Sequence, residues 1–225
     1  MIKKEIVIIG LLGLVLISNT SCKGDLTSND PDLIESLEPV EEVFVIEGAE
    51  SATIKVNINR DQEAYFSLQF SDIKSNAVIE NGLLIGWCID AFKPINSNNG
   101  TYSNIKLYST HLVEKWKPLN YLLNIGEALR QADPEISWLE IQLAIWSLRS
   151  NPKFVLDEVN IADLPGQFRR NENQPTYNEA KVREILNVVD DEYKTFDFTE
   201  QGVKFAVIAE LPEDLQTLIT VVKVK

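Results

Sequence analysis

The sequence predicts an α+β protein: a β-sandwich or barrel-like body interrupted by an all-helical insertion over about residues 111–195. Three observations predict it. Apolar and polar residues alternate over 51–70 and again over 203–224, the period of a half-buried strand. Between those stretches the apolar spacing changes to three and four, as in Trp116, Leu119, Leu122, Leu123, Gly126 and Leu129. Helix-start signals fall inside that middle stretch: Pro118, Ser137 with Glu140, and Thr176 with Glu179.

The strands come in order. Val43–Ile46 is a short apolar run. In 51–58, Ala52, Ile54, Val56 and Ile58 oppose Thr53, Lys55 and Asn57. In 64–70, Phe66, Leu68 and Phe70 oppose Tyr65, Ser67 and Gln69. The polar link 59–63 between these two predicts a hairpin and an antiparallel start. Asn81-Gly82 is a turn dipeptide, and the continuous apolar run Leu83–Ile89 predicts a strand buried on both faces. Pro94 stops it, and 95–101 reads as a flexible loop, with a sequon at Asn99 that is given no weight. A further strand is expected over 102–110. Two more, over 203–209 and 218–224, close the chain.

The middle block reads as three helices. The first carries Pro118 in its first turn and ends at Gln131–Pro134. The second begins at Ser137, with Glu140 completing a capping box, and ends before Asn151-Pro152. Apolar residues cover nearly all its faces, which predicts a buried helix. The third follows Thr176 and Glu179; residues 153–175 before it read as irregular.

The first residues read as an export signal. Lys3 and Lys4 precede an apolar run from Ile6 to Ile17, too short to span a bilayer. Asn19-Thr20-Ser21 directly before Cys22 resembles the cleavage box of bacterial lipoproteins, which implies lipidation at Cys22; the alternative is an ordinary signal peptide and a chance cysteine. Residues 22–40 read as a polar tether and 41–225 as the folded domain. Removing 1–21 changes the net charge from −13 to −14. So acidic a body argues against nucleic acid as a partner, and no polybasic patch assists an acyl anchor. One histidine, His111, and one cysteine beyond Cys22 leave no credible metal site, and no glycine-rich phosphate loop is present; the expectation is no metal and no cofactor.

Two residues stand out chemically. Cys88 is an unpaired thiol in an exported chain, where cysteines usually form disulfides. Gln142 is a carboxamide in an apolar helix, aligned with Trp138 and Trp146 one turn to either side. Buried there, it needs partners. Bland readings stand beside these: an inert buried thiol, a hydrogen-bonded core amide, tryptophans that only pack, and a surface or capping His111.

Trp87-Cys88-Ile89-Asp90 with Pro94, taken together with Ile141-Gln142-Leu143-Ala144-Ile145-Trp146, resembles the two signatures of the thioester domains of bacterial surface adhesins. Trp116–Asn124 and Ile208–Pro212 with Gln216 add to the likeness, which covers about 41–225. The resemblance implies an internal thioester between Cys88 and Gln142 that an amine, such as lysine, on a target protein opens to leave a covalent amide. It implies a monomeric adhesin-like domain rather than an enzyme, with Trp87, Asp90, Trp138 and Trp146 flanking or shielding the bond. Asp90 and His111 are the candidates for proton transfer. Family members carry a stalk and a wall-sorting signal. This chain instead ends at its last strand and would be held by lipid at Cys22, at the outer membrane or surface of a Gram-negative envelope, facing an amine-bearing protein of a host or neighbouring cell. Two alternatives remain open: a non-covalent binding module of the same fold, and a Cys88–His111 hydrolase.

Overall fold

The computed structural model describes Val40 and residues 42–225. The export signal, Cys22 and the tether lie outside the described residues. Among the described residues nine strands run β1 (Phe44–Val45), β2 (Ala52–Ile58), β3 (Phe66–Ser71), β4 (Gly82–Cys88), β5 (Asn98–Ser109), β6 (Arg169–Asn171), β7 (Gln174–Pro175), β8 (Lys204–Glu210) and β9 (Leu218–Lys223). Three α-helices lie between β5 and β8: α1 (Lys117–Ala132), α2 (Trp138–Leu148) and α3 (Glu179–Glu192).

The alternating strands close on themselves. β5-β2-β3-β4-β9-β8 pair in that order, all antiparallel, and β8 pairs back with β5. The result is a six-stranded barrel, with β1 added beside β5. Alternation explains the interior: Ala52, Ile54, Val56, Phe66, Leu68 and Phe70 are all buried, while Lys55 and Gln69 face out. The barrel-like body is therefore as expected; of the two forms the sequence allowed, the sheet closes rather than splits into a sandwich.

The insertion is not all-helical. Its 169–175 stretch holds the two-stranded β6–β7 sheet, and two short 3-10 turns precede it. Three other expectations change. β5 begins at Asn98, inside the stretch read as a loop: Asn57 and Lys55 of β2 hold Asn98 and Thr101 in register. A Cβ on Gly100 would sit 2.2 Å from the Asn96 carbonyl oxygen, so only glycine allows that approach. The cap of α3 is Asn178, whose side chain accepts the Ala180 N–H, while the Thr176 hydroxyl donates to the Gln167 carbonyl. β4 is not buried along its length: Leu83 and Ile85 face outward and exposed, and only Gly86–Cys88 are covered on both sides.

The helices complete the barrel where its strands stop. β8 pairs with β5 from Val207 onward, leaving Lys204 and Ala206 without strand partners on that edge. α1 lies along this edge. Asn120 Oδ1 accepts the Ala206 N–H (2.9 Å), and its Nδ2 donates to the Thr110 carbonyl (3.2 Å). One turn on, Asn124 pairs both ways with the Lys204 backbone at 2.8 Å. Side-chain amides thus take the place of a neighbouring strand's peptide groups, which buried N–H and C=O groups require. Among the described residues no helix is long and apolar enough to cross a membrane.

Candidate functional site

The same device, used once more, brings Cys88 and Gln142 together. β3 begins at Phe66, opposite Gly86 of β4, so no residue of β3 reaches Cys88 two positions on. On its other edge β4 pairs with β9, where Ile89 donates to the Thr217 carbonyl. The N–H and C=O of Cys88 are left facing the gap. Gln142 fills it. Cys88 N–H donates to Gln142 Oε1 (3.2 Å) and Gln142 Nε2 donates to the Cys88 carbonyl (2.7 Å). Both residues are wholly excluded from solvent. The partners are 54 positions apart, so tertiary packing alone joins them.

α2 holds the glutamine in place. Ser137 caps the helix by accepting the Leu139 N–H, and Glu140 accepts the Ser137 N–H in return. The other Glu140 oxygen accepts the Asn178 N–H at the start of α3, tying the two helices (2.8 Å). The capping box is the one the sequence predicts. Six apolar residues of α2 are buried, as expected of a helix with almost no wet side.

Aromatic rings wall the glutamine. Trp138 and Trp146 lie one turn before and one turn after it on the same stripe. Tyr65 contacts both, at 5.4 and 6.4 Å between ring centres. Phe168 touches Trp138 (5.6 Å), Trp146 (4.8 Å) and Tyr65 (5.6 Å), closing the box. Neither Tyr65 nor Phe168 is among the sequence-derived candidates. Alternation put Tyr65 on the polar side of its strand, but β3 starts one residue later and Tyr65 turns inward, 5% exposed. Phe168 falls in the stretch read as irregular, where only its apolar character could have marked it.

The electrostatics favour neutral groups. Burial pushes the Cys88 thiol well above its ordinary pKa; the indole N–H of Trp146 opposes the rise and Asp90 adds to it. Trp146 Nε1 makes no hydrogen bond of good geometry, and neither does Trp87 Nε1. Tyr65 is likewise raised, first by burial and then by the nearby sulfur. Asp90, two residues past Cys88, has no exposed surface. Burial raises its carboxyl, against the Thr217 N–H, which donates to Oδ2, and the Lys93 ammonium at 3.9 Å.

The candidates divide accordingly. Cys88, Gln142, Trp138 and Trp146 meet; Trp87 is on the outward face of β4 beside Cys88, and Asp90 stands just beyond the strand end. His111 is elsewhere. Its Nε2 pairs with the Phe198 carbonyl (3.1 Å) and its ring lies on Phe205, 4.9 Å away, with no contact to Cys88 or Gln142. The geometry offers no Cys88–His111 pair for hydrolysis.

Beside the box lies a cleft of about 750 Å³ between the outer face of the barrel and α1. Trp87, Trp138 and Ile141 are in its wall. Comparison with protein-family models, with curated proteins and with solved structures returns no match for this chain.

Proposed function

We propose that this chain is a covalent attachment domain, in which Cys88 and Gln142 form an internal thioester that captures an amine on another protein. The observation that carries the reading is the two-way hydrogen bonding between the Gln142 carboxamide and the Cys88 backbone. It holds the carboxamide against the backbone of the residue that carries the thiol, in a site without solvent, and such preorganisation makes an intramolecular reaction fast.

The chemistry follows from the same contacts. Strand side chains stand roughly perpendicular to their sheet, whereas a carboxamide paired with the strand edge lies along it. Such an orientation would turn the face of the Gln142 carbonyl, not its edge, toward the sulfur. Attack by Cys88 Sγ forms the C–S bond, the C–Nε2 bond breaks, and the nitrogen leaves as ammonia with the thiol proton. The Cys88 N–H, already donating to Oε1, stabilises the oxygen as it gains negative charge. An amine attacking the thioester carbon then forms an amide as the C–S bond breaks, and the amine's proton ends on the sulfur. Trp146 Nε1, without another partner, is placed to donate to that departing sulfur. With an export signal and a lipid at Cys22, the domain would act on the envelope surface, as an adhesin does. The test is methylamine. Wild-type protein should gain it at Gln142 and release one titratable thiol at Cys88; no adduct overturns the reading.

The same hydrogen bonds also support a second reading. They satisfy the carboxamide without any bond to sulfur, which suits a non-covalent module with Gln142 as a strand substitute and Cys88 as an inert thiol.

A further inference from the structure

The reactive pair is sealed, so a macromolecular amine needs a way in. Among the box residues, Tyr65, Trp146 and Phe168 are buried, and Trp138 alone is partly exposed. Trp138 also lines the cleft, as do Trp87, which directly precedes Cys88, and Ile141, which directly precedes Gln142. The cleft floor is therefore one side-chain layer from the bond on both the strand and the helix side. Trp87 and Ile141 are buried, 4% and 3% exposed, which leaves Trp138 as the partly open residue between cleft and box. Trp138 is in the first turn of α2, with its ring against Tyr65 and Phe168 of the box and part of its surface open to the cleft.

We propose that the cleft is the access route for the amine, with Trp138 as its door; this rests on the thioester reading above. The occupant is an unbranched primary alkylamine, the end of a lysine side chain. The apolar part of the wall, Ile85, Trp87, Leu122 and Ile141, suits methylenes. Asp61, Glu63 and Glu127 share the lining with Arg130, Lys204 and Lys223, so the charges balance and the cleft selects by width. Arg130, also in the lining, donates from Nη1 to the Glu63 carbonyl (2.8 Å), pinning the β2–β3 loop that leads into Tyr65. An amine of this shape passes once the indole turns aside; a branched one does not.

The experiment compares wild type, Trp138→Phe, Trp138→Ala and Ile85→Trp, the last a widening of an exposed wall residue that narrows the cleft. Intact mass first establishes loss of ammonia in each protein. Adduct rates are then measured with methylamine and with tert-butylamine. Removing the two ring contacts of Trp138 should raise the methylamine rate by about tenfold or more and narrow the preference over tert-butylamine. Ile85→Trp should slow both, with the mass deficit intact. Equal rates in wild type, Trp138→Phe and Ile85→Trp overturn the access route while leaving the thioester standing. If wild type retains its ammonia, the thioester fails, and iodoacetamide labelling of the Cys88 thiol tests the route by itself. Faster labelling in the Trp138 variants and slower in Ile85→Trp supports it, and unchanged labelling overturns it.

Discussion

Replacing Gln142 in a Cys88→Ala background isolates its role as a strand substitute, because no thioester can form there and the backbone groups of residue 88 remain. Gln142→Leu keeps the volume of the side chain but orphans the residue 88 N–H and C=O, which the glutamine satisfies at 3.2 and 2.7 Å in a site without solvent. Each orphaned group costs about 1–3 kcal/mol, so the pair costs about 2–6 kcal/mol. That is a large share of the ~5–15 kcal/mol that holds a domain folded. Gln142→Glu sharpens the test. A protonated glutamic acid can accept from the N–H and donate to the carbonyl, but a carboxylate would face that carbonyl oxygen without water. Burial therefore raises the folded pKa of the new group above its unfolded value of about 4.3. Its contribution is fully present below the unfolded pKa and lost as pH rises through the folded one, at about 1.4 kcal/mol for each pH unit that separates the two. Urea unfolding of the parent and both variants, from pH 4 to pH 8, measures this. The reasoning is refuted if Gln142→Leu lies within about 1 kcal/mol of its parent, or if Gln142→Glu keeps the parent's pH profile.

Other predictions use the same frame. Burial holds the Asp90 carboxyl above its ordinary pKa, so its contribution is present below about 3.8 and lost as pH rises through the folded value. Asp90→Asn keeps an acceptor for the Thr217 N–H, and its unfolding free energy relative to wild type should improve as pH is raised across that window; a difference that does not vary with pH contradicts this. A Cβ on Gly86 would lie 2.4 Å from Leu68 Cδ1 inside the barrel, so Gly86→Ala should cost about 1–3 kcal/mol in a denaturant melt. Leu68→Ala should recover part of that loss in a double-mutant cycle, which additive costs would disprove. Asn120→Leu leaves the Ala206 N–H and the Thr110 carbonyl without their partner and should destabilise by about 2–6 kcal/mol, with amide exchange speeding first at β8.

Alternation and turn residues made the strands legible: β2, β3, β8 and β9 lie within a residue or two of the expected ranges. The polar stretches were not. Asn98-Asn99-Gly100 has the composition of a loop and is strand because β2 supplies its partners. Arg169–Asn171 carries no alternation, and β6 exists only through its pairing with β7. At the site, the oddity of each residue was readable, a lone thiol and a lone amide, and the capping box fixed where α2 begins. What joined them was not. The gap at Cys88 depends on where β3 starts, a tertiary outcome that also turns Tyr65 from the polar side of a strand into the aromatic box. Phe168 reaches the same box from the irregular stretch between α2 and α3.

The central claim is a bond, and intact mass of the folded, unreduced protein tests it most directly. The account predicts that wild-type protein is lighter than its sequence by one ammonia, whereas Cys88→Ala and Gln142→Leu each match their sequences. A wild-type mass equal to its sequence, with Cys88 fully alkylated after unfolding, would contradict it and leave Gln142 as a strand substitute alone.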